Sequence, residues 1–227
     1  MTTKTALIIG ASRGLGLGLV ERLSEDGWKV VATVRDTAKA AALKALPGVQ
    51  VETLEMNSTA QLDALQKQLA GQTFDLLFVN AGVKGPDNQD AEAAQPADIG
   101  ELFVTNSVAP IRVAQRFAAQ LREEGGVIAF MSSVLGSVAI ADAPELALYK
   151  ASKAALNSMI NSFVVRLGDT RLSVLAMHPG WVKTDMGGEG ADIDVATSTR
   201  GMLEQVKAHS GKPGVHYVNY KGETLIW

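Results

Sequence analysis

Short apolar runs of strand length alternate along the chain with longer stretches whose apolar residues recur at helical spacing. This alternation constrains the fold more than any other feature. The first run, TALIIG (5–10), has no polar side chain after Thr5, as a strand buried on both faces requires. WKVVATV (28–34), VQVETLE (49–55), FDLLFVN (74–80), GVIAFMSS (126–133), RLSVLAMHP (171–179) and GVHYVNYKG (214–222) read as six more strands. Between them the pattern predicts a helix over 15–25 with Gly27 just past its end. It predicts an Ala-rich helix over 37–46 stopped by Pro47 and Gly48, and one over 60–70 capped by Ser58 or Thr59. After a polar stretch, a long helix over 98–123 should kink at Pro110. Helices over 145–167, closed by Gly168, and near 192–208 complete the set. Such alternation implies parallel strands joined by right-handed crossovers. The expected fold is α/β: a single Rossmann-type doubly wound domain over 1–227, with about seven mostly parallel strands and helices on both faces. Its ligand crevice should lie at the strand C-termini.

Composition narrows the function classes. The chain has 227 residues and no cysteine, which excludes disulfides, thiolate catalysis and cysteine–zinc sites. Its net charge of −3 gives no strong pull towards nucleic acid or anionic membrane. The N-terminal apolar run is too short for a signal peptide or a span, so the expectation is a cytoplasmic protein. His178, His209 and His216 are scattered, and no metal site is expected.

The loop after the first strand, GASRGLG (10–16), carries Gly10, Gly14 and Gly16 into a helix start. A helix N-terminus offers free N–H groups and a partial positive charge, which suits a pyrophosphate. The second strand ends in Val34, Arg35 and Asp36. If Arg13 and Arg35 both face the adenosine ribose they clamp a 2′-phosphate, which favours NADP. Asp36, turned inward, would instead bind a ribose 2′-hydroxyl and leave an NAD-linked alcohol dehydrogenase open.

Tyr149 and Lys153, four apart in YKASK (149–153), share a helix face. An ammonium beside the phenol would lower its pKa and make it a better proton donor. Ser133, closing the fifth strand, could donate a hydrogen bond to a substrate carbonyl oxygen.

Together these residues resemble the short-chain dehydrogenase/reductase family, of the classical type. GASRGLG, NAG (80–82), Asn106 in VTNSVAP, SSVLG (132–136), YKASK and HPGWVKTDM (178–186) occur in the family's order across essentially the whole chain. Within the family, the last of these and the closing VNYKGETLIW look most like small carbonyl reductases of the bacterial C-factor and insect sniffer type. The resemblance implies Tyr149 as general acid/base, Lys153 on the nicotinamide ribose, Ser133 rather than Ser132 polarising the carbonyl, and Asn106 in a water-linked relay to Lys153. It implies an NADP(H) site built from Gly10, Ser12, Arg13, Gly14, Leu15, Gly16, Arg35, Met56, Asn80, Ala81, Gly82, Tyr149, Lys153, Pro179, Gly180, Val182 and Thr184. It also implies a homodimer paired through the helices near 98–123 and 145–167. Some positions depart from the family pattern: Ile9 replaces a threonine, Val79 an asparagine and Glu55 an aspartate. The Ser133–Tyr149 spacing is longer by a few residues around 140–148. Trp181, Met186, Val134, Leu135 and Ile140 suggest an apolar pocket, hence a hydrophobic carbonyl substrate. The competing readings are a sugar-nucleotide epimerase, which lacks its G-x-x-G-x-x-G loop here, and a non-catalytic NADP(H)-binding sensor or scaffold.

Overall fold

The computed structural model describes residues 3–227; Met1 and Thr2, at the head of the N-terminal run weighed above, lie outside them. Seven strands form one sheet: β1 (Thr5–Ile9), β2 (Lys29–Val34), β3 (Val49–Thr53), β4 (Leu76–Val79), β5 (Val127–Met131), β6 (Ser173–His178) and β7 (Gly214–Asn219). Their order is β3-β2-β1-β4-β5-β6-β7, and every pair is parallel. The order reverses between β1 and β4, where a doubly wound sheet opens its crevice.

Alternate residues of each central strand enter different cores, which is why the strands read as unbroken apolar runs. Leu7 and Ile9 of β1 face a core shared with Leu62 and Leu65 of α3 (Thr59–Gln68) and with Leu156, Ile160 and Phe163 of α6 (Ala147–Leu167). Ala6 and Ile8 face the other, with Leu19 and Leu23 of α1 (Gly14–Glu25) and Met202 and Val206 of α7 (Val195–His209). Helices α1 and α7 pack closely: a Cβ on Gly18 would lie 2.5 Å from Val195 Cγ1.

Two helices differ from the sequence reading. The 37–46 segment is a 3₁₀ turn (Thr37–Lys39) followed by one turn of helix, α2 (Ala41–Lys44). Asp36 caps the first turn by accepting from the Ala38 N–H, and Ala40 and Leu43 anchor the segment in the core. Alanine propensity cannot hold ten residues helical without a continuous buried face. The long helix begins earlier, at Pro96, as α4 (Pro96–Phe103), passes through a π turn (Val104–Val108) and continues as α5 (Ala109–Phe117). The irregularity expected at Pro110 therefore lies in the turn before it. The Ala109 N–H reaches back five residues to the Val104 carbonyl. Pro110 has no N–H to offer the Asn106 carbonyl four residues earlier.

Candidate active site

The glycine loop leaves β1 at Gly10, whose φ of +85° is open to glycine at little cost. Its N–H donates to Thr33 Oγ1 (3.0 Å), and its carbonyl accepts from Asn80 Nδ2 (2.6 Å). Thr33, from β2, thus satisfies the loop although Ile9 replaces the family's threonine. A Cβ on Gly10 would come within 2.7 Å of Ala81 Cβ, and one on Gly16 would overlap the Gly10 carbonyl. The loop is a cradle of bare backbone at the first turn of a twelve-residue helix, the geometry a pyrophosphate needs. Leu15 and Ser12 are half-buried beside it, and the Thr184 methyl lies 3.5 Å from where a Gly14 Cβ would stand.

Two exposed arginines flank this cradle. Arg13 Nη1 pairs with Asp185 Oδ2 at 2.6 Å, the side chains 75% and 73% exposed. Arg35 lies 4.0 Å from Glu55. Asp36 is spent on its cap, so it does not turn inward towards a ribose. Met56 sends its side chain into the core, so only its main chain is free to meet an adenine.

Across the switch point, the ends of β4 and β5 meet the start of α6. Asn106 is wholly buried. It accepts from the Val83 N–H and donates to the Val83 carbonyl and to Ser152 Oγ, all within 3.1 Å. Its amide fastens the NAG loop to α6. Lys153 Nζ donates to the Met131 carbonyl (2.8 Å), and both it and Asn106 Oδ1 border Gly82. Ser132 Oγ donates to Asn157 Oδ1 (2.6 Å), which leaves Ser133 as the serine facing Tyr149. The Tyr217 hydroxyl donates to the Ser133 carbonyl, and the Trp227 ring stacks on Tyr217 at 4.9 Å.

The electrostatics correct one expectation. Burial pushes the Tyr149 phenol up to about 12; its hydrogen bond with Ser133 pulls the other way, and Tyr217 adds to the rise. Burial brings Lys153 down to about 8. The ammonium sits 5.7 Å from the phenol ring centroid with a proton committed to Met131, so it does not pull the phenol down as the i, i+4 spacing suggested. His178 is also brought down by burial, to about 4, and is neutral near pH 7, consistent with a structural role.

The sequence matches the family model described as short chain dehydrogenase over residues 4–193. The chain belongs to the short-chain dehydrogenase family. It is 32% identical to the C-signal of Myxococcus xanthus over 155 residues, covering 67% of this chain and 92% of that protein. A carbonyl reductase from Pseudomonas aeruginosa PAO1, solved in complex with NADP, superposes with a TM-score of 0.92 at 35% identity over 100% of both chains. The carbonyl reductase Sniffer of D. melanogaster superposes with a TM-score of 0.88 at 30% identity, again over 100% of both chains. The resemblance to this branch of short-chain dehydrogenases is thereby borne out.

Within that frame, the remaining family positions fall along a loop that folds back on itself after β6. Gly180 has φ +86°, and Pro179 accepts from Ser198 Oγ. Val182 is buried and bridges to Ile193. Thr184 Oγ1 accepts from the Gly187 N–H, and Trp181 Nε1 donates to the Gly187 carbonyl. Trp181 and Met186 are exposed at the lip. Between the β4 loop and the start of α6 opens a cleft of about 760 Å³, lined by Asp87, Asn88, Gln89, Asp90, Ala91, Pro144, Glu145 and Ala147. Val134, Leu135, Ile140, Trp181 and Met186, expected to wall an apolar pocket, are not among the residues that line this cleft. Sequence reading missed Thr33, Gln89, Asp185 and Tyr217. Their partners lie 23 to 172 residues away, and no local pattern marks them.

Proposed function

We propose that this short-chain dehydrogenase reduces the carbonyl of a small aldehyde or ketone with NADPH. The observation that carries the reading is Lys153. It is the one charged side chain among the buried described residues, and no carboxylate meets it. A buried cation without a counter-charge is costly, and such a group in a cleft marks function. The glycine cradle, Asn80–Gly82 and the Pro179–Thr184 segment fit a dinucleotide, and Arg13 and Arg35 fit its 2′-phosphate. The NADP bound by the Pseudomonas relative supports the same cofactor. Bound there, NADPH supplies a hydride.

Lys153 holds ribose hydroxyls through its remaining protons. Ser133 donates a hydrogen bond to the substrate oxygen as negative charge develops. Tyr149 then gives its phenolic proton to that oxygen. A phenol held near 12 stays protonated at neutral pH. It is still a far stronger acid than the alcohol being formed, roughly as weak an acid as water at about 15.7, so the transfer runs downhill. Lys153 returns a proton to Tyr149, and water held near Asn106 replaces the proton that Lys153 gives up. Asp87, Asp90 and Glu145 on the cleft wall disfavour oxo acids and favour neutral or cationic carbonyls. The same reading takes 1–227 as one catalytic domain, cytoplasmic, paired as a homodimer through the helices of 96–117 and α6, where Val165 stands exposed.

The test is NADPH consumption with a panel of neutral, cationic and anionic aldehydes, ketones, diketones and quinones, beside Tyr149→Phe and an NADH control. Turnover that needs Tyr149 and prefers NADPH is expected. Tight NADPH binding without turnover on any carbonyl would instead mean a sensor. Light scattering on a sizing column that shows only monomer at micromolar concentration would remove the dimer.

A further inference from the structure

Helix α6 carries both Tyr149 and Lys153, yet its own N-cap, Leu146, makes no side-chain cap bond. The N–H groups of its first turn have no partners within the helix. Tyr149 lies in that first turn. Its N–H donates to Gln89 Oε1 at 2.8 Å, from a loop 60 residues earlier. Gln89 is 5% exposed, and its Nε2 donates to the carbonyls of Pro86 (2.7 Å) and Lys84 (3.2 Å). The turn at Gly85, φ +91°, wraps closely round this amide, so that a Cβ there would stand 3.3 Å from Nε2. One buried side chain thus uses an acceptor and both donor protons at once.

We propose that Gln89 is a positioning residue for Tyr149. It caps the catalytic end of α6 from the loop that lines the neighbouring cleft, and so fixes the height of the phenol against Ser133. The inference rests on Tyr149 being the acid. The chemistry demands glutamine. Glutamate has the acceptor but, ionised, neither donor. Asparagine is a methylene too short, and methionine has the shape without the hydrogen bonds. Leaving a part-buried N–H and two carbonyls without their partner loosens the first turn, and a misplacement of about 1 Å in a reacting group costs on the order of 10²-fold in rate.

The experiment compares Gln89→Met and Gln89→Glu with the full-length parent. Amide hydrogen exchange at Tyr149, read by NMR on the protein alone, should lose protection in Gln89→Met and keep it in Gln89→Glu. With the best carbonyl of the panel, Gln89→Met should lower kcat by about 10²-fold, raise the solvent isotope effect on kcat, and leave the NADPH dissociation constant unchanged. Gln89→Glu should recover part of that kcat. If Gln89→Met does not fold, Gln89→Asn takes its place with the same expectations. An unchanged kcat overturns the proposal, as does a loss confined to KM with an unchanged isotope effect, or a Tyr149 amide equally protected in all variants. Turnover surviving in Tyr149→Phe would instead sink the acid assignment, which separates the two failures.

Discussion

Replacing Gly16 with alanine tests the cradle directly, because the cost can be worked from its walls. The added Cβ would overlap the Gly10 carbonyl and stand 2.6 Å from Asn80 Nδ2 and 3.0 Å from Ala11 Cα. Two of these neighbours are backbone and cannot swing away. Forcing a methyl into such a space costs about 1–3 kcal/mol. Displacing Asn80 from the Gly10 carbonyl costs about 1 kcal/mol more. Gly16 lies in α1, where alanine is the better helix former by about 0.8–1 kcal/mol. The net loss is therefore roughly 1–3 kcal/mol, and the melting temperature should fall by about 2–12 °C for a domain of this size. Gly100 is the control. It sits in α4, exposed, with nothing within 4 Å of its missing Cβ and no positive φ. Gly100→Ala should raise the melting temperature by about 1–4 °C. Thermal unfolding followed by circular dichroism reads both signs, and NADPH titration should show weakened binding in Gly16→Ala alone. A Gly16→Ala protein as stable as the parent, with undiminished NADPH affinity, would refute the argument that close backbone approach shapes this loop.

Other expectations concern charge. Arg13→Ala should raise the NADPH dissociation constant by about 10- to 100-fold, as the loss of a charge-assisted contact implies, with little effect on NADH. Its pair with Asp185 is too exposed to matter to stability, so the melting temperature should not move. An equal loss for both cofactors would place Arg13 away from the 2′-phosphate. Lys153 should lose its proton as pH rises through about 8. In the proposed mechanism the charged form is the working form, so kcat/KM for reduction should be level below that pH and decline above it. Lys153→Arg, cationic throughout, should abolish this limb if it remains active. A decline that persists unchanged in Lys153→Arg would belong to another group. Burial pushes the Asp75 carboxyl up, but bonds from Arg122 and Thr5 outweigh it and hold the pKa below 3.8. A lowered carboxyl stabilises the fold above its unfolded pKa and loses that contribution as pH falls through the folded value. Asp75→Asn should therefore be less stable than the parent in urea near neutral pH, with the gap closing below about pH 4. A gap of the same size in acid would refute the linkage.

The parts of the fold legible in the sequence are those whose physics is local. TALIIG and GVIAFMSS announce doubly buried strands because both faces meet helices, so no alternation survives to be misread. Gly10 and Gly16 announce the cradle because only glycine fits there. The 37–46 segment misled because alanine propensity is local while the burial that sustains a helix is not. The π turn at 104–108 left only Pro110 as a trace, and its effect fell in the turn before it. The pKa of Tyr149 went the other way because burial of the phenol outweighs its hydrogen bond with Ser133, and an i, i+4 spacing discloses neither that burial nor where the ammonium points. Met131 claims that proton, and residue spacing on a helix cannot disclose a partner on a strand.

The distribution of buried polar groups explains why the site was easier to find than its supports. Among the described residues, Gln89, Asn106, Ser107, Ser132, Ser133, Ser152, Lys153 and Asn157 are all buried, and they gather where β4, β5 and α6 meet. A core selected for stability alone would fill that corner with apolar side chains, since buried polar groups contribute little net and cost heavily when unpaired. Here each is satisfied by a neighbour from another element: Asn106 by Val83 and Ser152, Ser107 by the Ser152 carbonyl, Ser132 by Asn157, Gln89 by Tyr149. Such a network holds α6 against the strand ends in one arrangement, because each member restricts the next. In the proposed mechanism the hydroxyls of Ser133 and Tyr149 then meet a substrate without reorganising, and this rigidity is what a site that must stabilise transient charge requires.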